Sequence, residues 1–139
     1  MKSLHKVANA VLIVLILFLA LTATLGGLAI VTGINAPNTT ELTNSVFKGS
    51  LIPGIALFLI VGGSATLAVV LLLRKSRFGV LFATVAGIVI MFFEFVEVLV
   101  IGSPAGVART LQIFYYGLGT LITIVSIGMW FIDLLFEPR

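Results

Sequence analysis

Two acids stand where acids are costly. Glu94 and Glu97 lie inside the apolar run Phe92-Phe93-Glu94-Phe95-Val96-Glu97-Val98. On a helix their i, i+3 spacing puts both on one face, together with Ile90 and Ile101. A charge at the centre of a bilayer costs at least ~2.5–3.5 kcal/mol, so such residues face protein or water rather than lipid. Further along, Arg109, Gln112 and Tyr116 recur at i, i+3, i+7, with Tyr115 beside them. Matched for depth on an antiparallel neighbour, Gln112, Tyr115 and Tyr116 come level with Glu97 and Glu94, and Arg109 caps the group from outside. Two chemistries fit this constellation. One is a polar pocket open to the outside, or part of a proton or cation path. The other is polar glue between two helices, worth about 0.6 kcal/mol per contact.

The rest of the inventory excludes more than it offers. The chain has no cysteine and a single histidine, His5. Thiolate metal sites, disulfide exchange and a bis-histidine haem within one copy are therefore ruled out. No Ser/His/Asp set, phosphate loop or metal-ligand cluster occurs, so neither an enzyme nor a bound cofactor is expected. Eight basic residues give a net charge of +3, but they sit at the ends of apolar runs and form no stripe, which argues against nucleic acid.

Of the 139 residues, 60% are hydrophobic and only 9% charged, with a mean hydropathy of +1.31. A soluble domain carries about 25% charged residues. So few charges cannot cover a water-facing surface, and the bilayer is the expected partner. About 20 apolar residues cross a hydrocarbon core. Stretches at about 7–33, 51–73, 78–101 and 111–132 qualify, and each must be helical to satisfy its backbone in lipid. The expected fold is all-α: one four-helix transmembrane domain over 1–139.

The connections set the topology. Arg74-Lys75-Ser76-Arg77 is too short for anything but an antiparallel hairpin. Gly102-Ser103-Pro104-Ala105-Gly106 breaks the helix a second time, and 34–50 is a polar loop. Lys2, Lys6, Arg74, Lys75, Arg77 and Arg139 fall on one side, against Lys48 and Arg109 on the other. Cations favour the cytoplasm, so both termini are expected there and the 34–50 loop outside, in a plasma or inner membrane. The sequon Asn38-Thr39-Thr40 lies in that loop, where a Thr/Asn-rich composition produces such a match by chance. Trp130 and Phe78 suit an interfacial level. Asp133 and Glu137, just past the last span, are expected to be hydrated.

Helices in lipid associate through close backbone approach. Gly79, Ala83 and Gly87 recur at i, i+4, i+8, and Gly62, Gly63, Ser64 and Ala68 lie at similar depth. These are the expected contact between the second and third spans. Ala23 and Gly27, and Gly119 and Thr123, repeat the spacing in the first and fourth.

From Phe47 onward the chain resembles a loose group of small prokaryotic four-span membrane proteins with no established activity. Phe47-Lys48, Leu51-Ile52-Pro53-Gly54, the basic turn, Glu97-Val98-Leu99-Val100-Ile101-Gly102 and Leu111-Gln112-Ile113-Phe114-Tyr115 carry the resemblance, over about two thirds of the chain. Where the group has glutamine this chain has Glu97, which argues against an obligatory proton-carrying role there. The expected function is that of a structural or accessory bundle that self-associates or joins a larger membrane complex. The alternative is an oligomeric small transporter or channel using Glu94 and Glu97.

The orientation is testable by cysteine labelling in intact cells. Cysteines at Thr43 and Ser103 should react with an impermeant thiol reagent from outside, and one at Ser76 should not. Labelling at Ser76 alone would invert the topology.

Overall fold

The computed structural model describes residues 2–32, 51–102 and 106–136, all of them in helices or short turns. The first helix, α1, runs from Lys2 to Val31. The second span begins as α2, Leu51–Ala56, widens into a π-helical turn over Leu57–Gly62, and continues as α3, Gly63–Leu73. Then come α4, Gly79–Ile101, and α5, Val107–Phe136. Four helical stretches, from Ser3, Gly54, Gly79 and Arg109 onward, are long and apolar enough to cross a membrane. The polar loop at 34–50, the sequon, Lys48, Pro104, Glu137 and Arg139 lie outside the described residues.

Two helices are longer than their apolar runs implied. At 30 residues each, α1 and α5 are about 45 Å long at 1.5 Å per residue, against a hydrocarbon core of about 30 Å. Hydropathy marks the part in lipid, while the backbone stays helical into the interface.

The helices form a square in which sequence neighbours pack together and α5 returns to α1. Its interior is built from small residues. Ala20, Ala23, Ala65, Ala68, Ala83 and Ala86 are buried beside Leu12, Ile16, Leu19 and Ile122. Large residues point outward: Val14, Leu25, Leu73, Phe92, Ile124 and Leu135 are all exposed. In water this surface would drive aggregation; in lipid it is solvated. Arg77 sits 4.8 Å over the Phe78 ring, and exposed Trp130 lies beside Phe131, giving the basic end an aromatic belt.

Close approach of backbones holds two pairs of helices. A Cβ on Gly27 would lie 2.6 Å from the Phe58 nitrogen and 2.8 Å from the Gly54 oxygen, so the first and second spans touch main chain to main chain. A Cβ on Gly87 would lie 2.9 Å from the Gly119 oxygen, and one on Gly119 2.8 Å from the Gly87 oxygen. The small-residue stripes therefore pair differently from expectation. Gly79 does meet the second span, at Leu72, but Gly87 meets Gly119 and Thr123 of α5. Gly62 meets Thr24 of α1, and Gly63 faces open space. Ala83 is fully buried in the core. The reason is geometric. Eight residues of α-helix leave a stripe rotated by about 80°, enough to sweep from one neighbour in a square to the next.

The hairpin between α3 and α4 is closed by the backbone. The Ser76 N–H donates to Leu71 and the Lys75 N–H to Leu72, the paired bonds of a Schellman motif. Lys75 takes the left-handed conformation this requires, with φ 54°. At the next break, Gly102 and Gly106 adopt φ values of 83° and 114°, where a side chain would be strained.

The glycine contacts should govern stability. Gly27→Ala and Gly119→Ala should each destabilise the bundle by about 1–3 kcal/mol through overpacking. Gly63→Ala and Gly128→Ala, which meet nothing within 4 Å, should be neutral or stabilise by up to ~1 kcal/mol. Unfolding in mixed detergent and SDS measures the difference, and wild-type stability for Gly119→Ala would remove that contact from the account.

Candidate functional site

The α4–α5 interface carries most of the interior polarity. Glu94 continues the buried stripe of Ala83, Ala86 and Ile90 along α4 and is only 5% exposed. One turn further out, Glu97 is half-buried and within electrostatic reach of Glu94. On the facing helix Gln112 is also 5% exposed. Its Nε2 donates to the Gly102 carbonyl at 3.1 Å, which ties α5 to the last turn of α4. Its Oε1 is buried without a hydrogen-bond partner. The amide thus turns outward to the helix end, in keeping with the lean of helical side chains toward their own N-terminus.

The tyrosines part company. Tyr115 packs against the core with its ring edge-on to Phe114 at 5.4 Å, and Phe114 in turn meets Phe18 of α1 at 5.8 Å. Tyr116 is exposed and lines a shallow depression with Met91, Phe92 and Phe95 on the outer face. Arg109 is exposed in the opening turn of α5. Of the six residues grouped by sequence, the structure buries Glu94 and Gln112 along the α4–α5 seam, keeps Glu97 beside Glu94, and sets Tyr116 at the exposed edge of the seam, next to Met91, Phe92 and Phe95 of α4.

The same seam is polar further down, in residues the spacing argument passed over. Thr84 Oγ1 donates to Ser126 Oγ at 2.8 Å, joining α4 to α5, and Ser126 donates on to the Thr123 carbonyl. Thr120 and Thr123 approach the Met91 sulfur at 3.8 and 3.9 Å. The depth matching that located Gln112 applies equally to these hydroxyls. At the basic end, Nε2 of His5 donates to Oδ1 of Asp133 at 2.9 Å. Asp133 is therefore not simply hydrated. It pins the start of α1 to the end of α5, and a partly exposed pair of this kind contributes ~0–1 kcal/mol.

Between these ends, α1 and α5 stand apart. A groove of about 560 Å³ runs between Val14, Leu15 and Phe18 on one side and Ile113, Gly117 and Leu121 on the other. Gly117 opens into it with nothing within 4 Å. Apart from the glycine, the wall residues named are apolar side chains.

Among the described residues no three acidic, histidine or cysteine side chains gather to hold a metal ion. No protein-family model, curated protein or solved structure matches the chain.

The two polar positions should differ in weight. Gln112→Leu removes the tie to Gly102 and should cost about 0.6 kcal/mol, the average for a polar contact between membrane helices. Tyr116→Phe, at the lipid face, should leave stability unchanged. Detergent unfolding of the two variants checks this, and equal loss in both would contradict the placement of Tyr116.

Proposed function

We propose that the protein is a multi-pass bundle of a prokaryotic plasma membrane, with both termini cytoplasmic, that works by association. It is an accessory protein that self-associates or joins a larger membrane complex. The carrying observation is the groove between α1 and α5. Each of the other three sides of the square has a glycine packed against the neighbouring main chain: Gly27 at Phe58, Gly79 at Leu72 and Gly87 at Gly119. The fourth is held by the Phe18–Phe114 edge contact and the His5–Asp133 pair. Gly117 leaves room there for an apolar helix from another chain, and small residues are what membrane helices use to admit a neighbour. The six-to-two bias of cations supports the orientation.

A second reading rests on Glu94. A carboxyl kept 95% out of solvent inside an apolar span is the kind of residue on which small transporters and channels operate. Four helices of this length enclose no solvated pore by themselves, so that reading too needs an oligomer.

Filling the groove separates association from folding. Gly117→Phe points into open space and should leave the monomer intact while shifting the particle from an assembly to a single 14.8 kDa chain plus detergent. Native mass spectrometry from mild detergent reads the change. A wild-type chain that is already monomeric, with no partner cross-linked to it in membranes, would end the association reading.

A further inference from the structure

The hairpin between α3 and α4 gathers positive charge that no acid of the described residues neutralises. Arg74, Lys75 and Arg77 are three cations within four consecutive residues, and all three are exposed. The turn is closed by the Lys75 and Ser76 N–H bonds to Leu72 and Leu71, and at 3.8 Å per step the three Cα atoms lie within about 11 Å. That is close to the screening length of physiological salt, about 8 Å, so the charges repel one another. Asp133, the described acid at this end of the bundle, is engaged by His5. A preference of cations for one side of a membrane accounts for their sign, but not for their crowding into a single turn. Nor does it account for Lys75. The left-handed position that ends a helix in this way is usually glycine, and Lys75 is the one non-glycine residue with positive φ among those described. A lysine kept where its backbone is strained points to a use for its charge.

Around these cations stand the other contacts a phospholipid needs. Ser76 Oγ accepts the Phe78 N–H at 3.3 Å, and among the described residues its own hydroxyl proton meets no acceptor. The Arg77 guanidinium lies 4.8 Å over the Phe78 ring, which holds that charge where the apolar surface begins. Leu73, Phe78 and Leu81, flanking the turn in sequence, are large and exposed, so hydrocarbon-facing side chains run directly up to the cations. We propose that the hairpin binds the headgroup of an anionic phospholipid. The phosphate oxygens accept from Arg74, Lys75, Arg77 and the Ser76 hydroxyl, and the acyl chains lie along Leu73, Phe78 and Leu81. Charge-assisted bonds from guanidinium to phosphate are strong and directional. A zwitterionic lipid is the poorer ligand, because its ammonium group adds a fourth positive charge to the three. A free phosphate ion would leave the flanking apolar surface unused.

Native mass spectrometry of the full chain in mild detergent, titrated with phosphatidylglycerol or phosphatidylcholine of matched chains, tests this. Phosphatidylglycerol should be retained at lower concentration; equal retention of the two overturns the site without any variant being needed. Each cation removed should weaken phosphatidylglycerol retention about fivefold, the usual weight of one basic residue at an anionic surface. The variant Arg74→Gln with Lys75→Gln and Arg77→Gln should therefore lose the preference. Lys6→Gln, which removes a cation of α1 at the same end, should keep it, and an equal loss there would show diffuse attraction in place of a site. Lys75→Gly separates binding from folding. It relaxes the left-handed turn, so thermal unfolding without added lipid should be unchanged or higher while retention falls about fivefold. Unchanged retention in Lys75→Gly removes the lysine from the site. Inorganic phosphate should not displace the lipid at equal concentration; if it does, the ligand is the free ion and the lipid assignment fails. The hairpin lies across the square from the α1–α5 groove, so this site stands or falls independently of the association reading.

Discussion

In hydrocarbon a helix gains little by exchanging lipid for another leucine, so its contacts depend on how closely two backbones approach. Among the described residues that approach is tightest at Gly27 against Gly54 and Phe58 and at Gly87 against Gly119, with Gly79 against Leu72 beside the hairpin. The first two each bring a carbonyl oxygen of one helix to within reach of the opposing glycine, a distance no larger residue permits. The first two spans and the last two thereby become two tight pairs. Polar residues collect where the second pair is tight, as the Thr84–Ser126 and Gln112–Gly102 bonds show. Where the pairs meet at α1 and α5, aromatic rings and the partly exposed His5–Asp133 contact join the helices, and the groove remains.

The last helix consequently serves two neighbours with two chemistries. One face presents Gln112, Thr123 and Ser126 to α4; another presents Ile113, Gly117 and Leu121 to the groove beside α1. A substitution on one face need not disturb the other.

The number of spans, the hairpin and the burial of Glu94 and Gln112 were legible because each rests on a local signal. These are length of apolar run, a four-residue connection, and the cost of a charge in lipid. The partners of the small residues were not. A stripe of Gly79, Ala83 and Gly87 says that something approaches closely, but rotation along the helix decides which neighbour it is. The π turn over Leu57–Gly62 left no mark either, since Leu-Phe-Leu-Ile-Val reads as uninterrupted apolar helix. His5–Asp133 joins residues at opposite ends of the sequence, and only the closed square makes them neighbours. Tyr116 shares the spacing of Arg109 and Gln112 and Tyr115 only flanks it, yet adjacent helical residues diverge by about 100°, and it is Tyr115 that packs against the core while Tyr116 stays exposed beside α4.

The Schellman turn at Lys75 has a kinetic corollary. It reverses the chain within a few residues, so α3 and α4 meet at almost no cost in loop entropy. The contact between α1 and α5 joins segments separated by nearly the whole chain, and such contacts form slowly. During synthesis α1 must wait in the bilayer until α5 emerges. The seam with the weakest fastening is then also the last to close, and a second nascent chain arriving in that interval finds the edge of α1 still unoccupied.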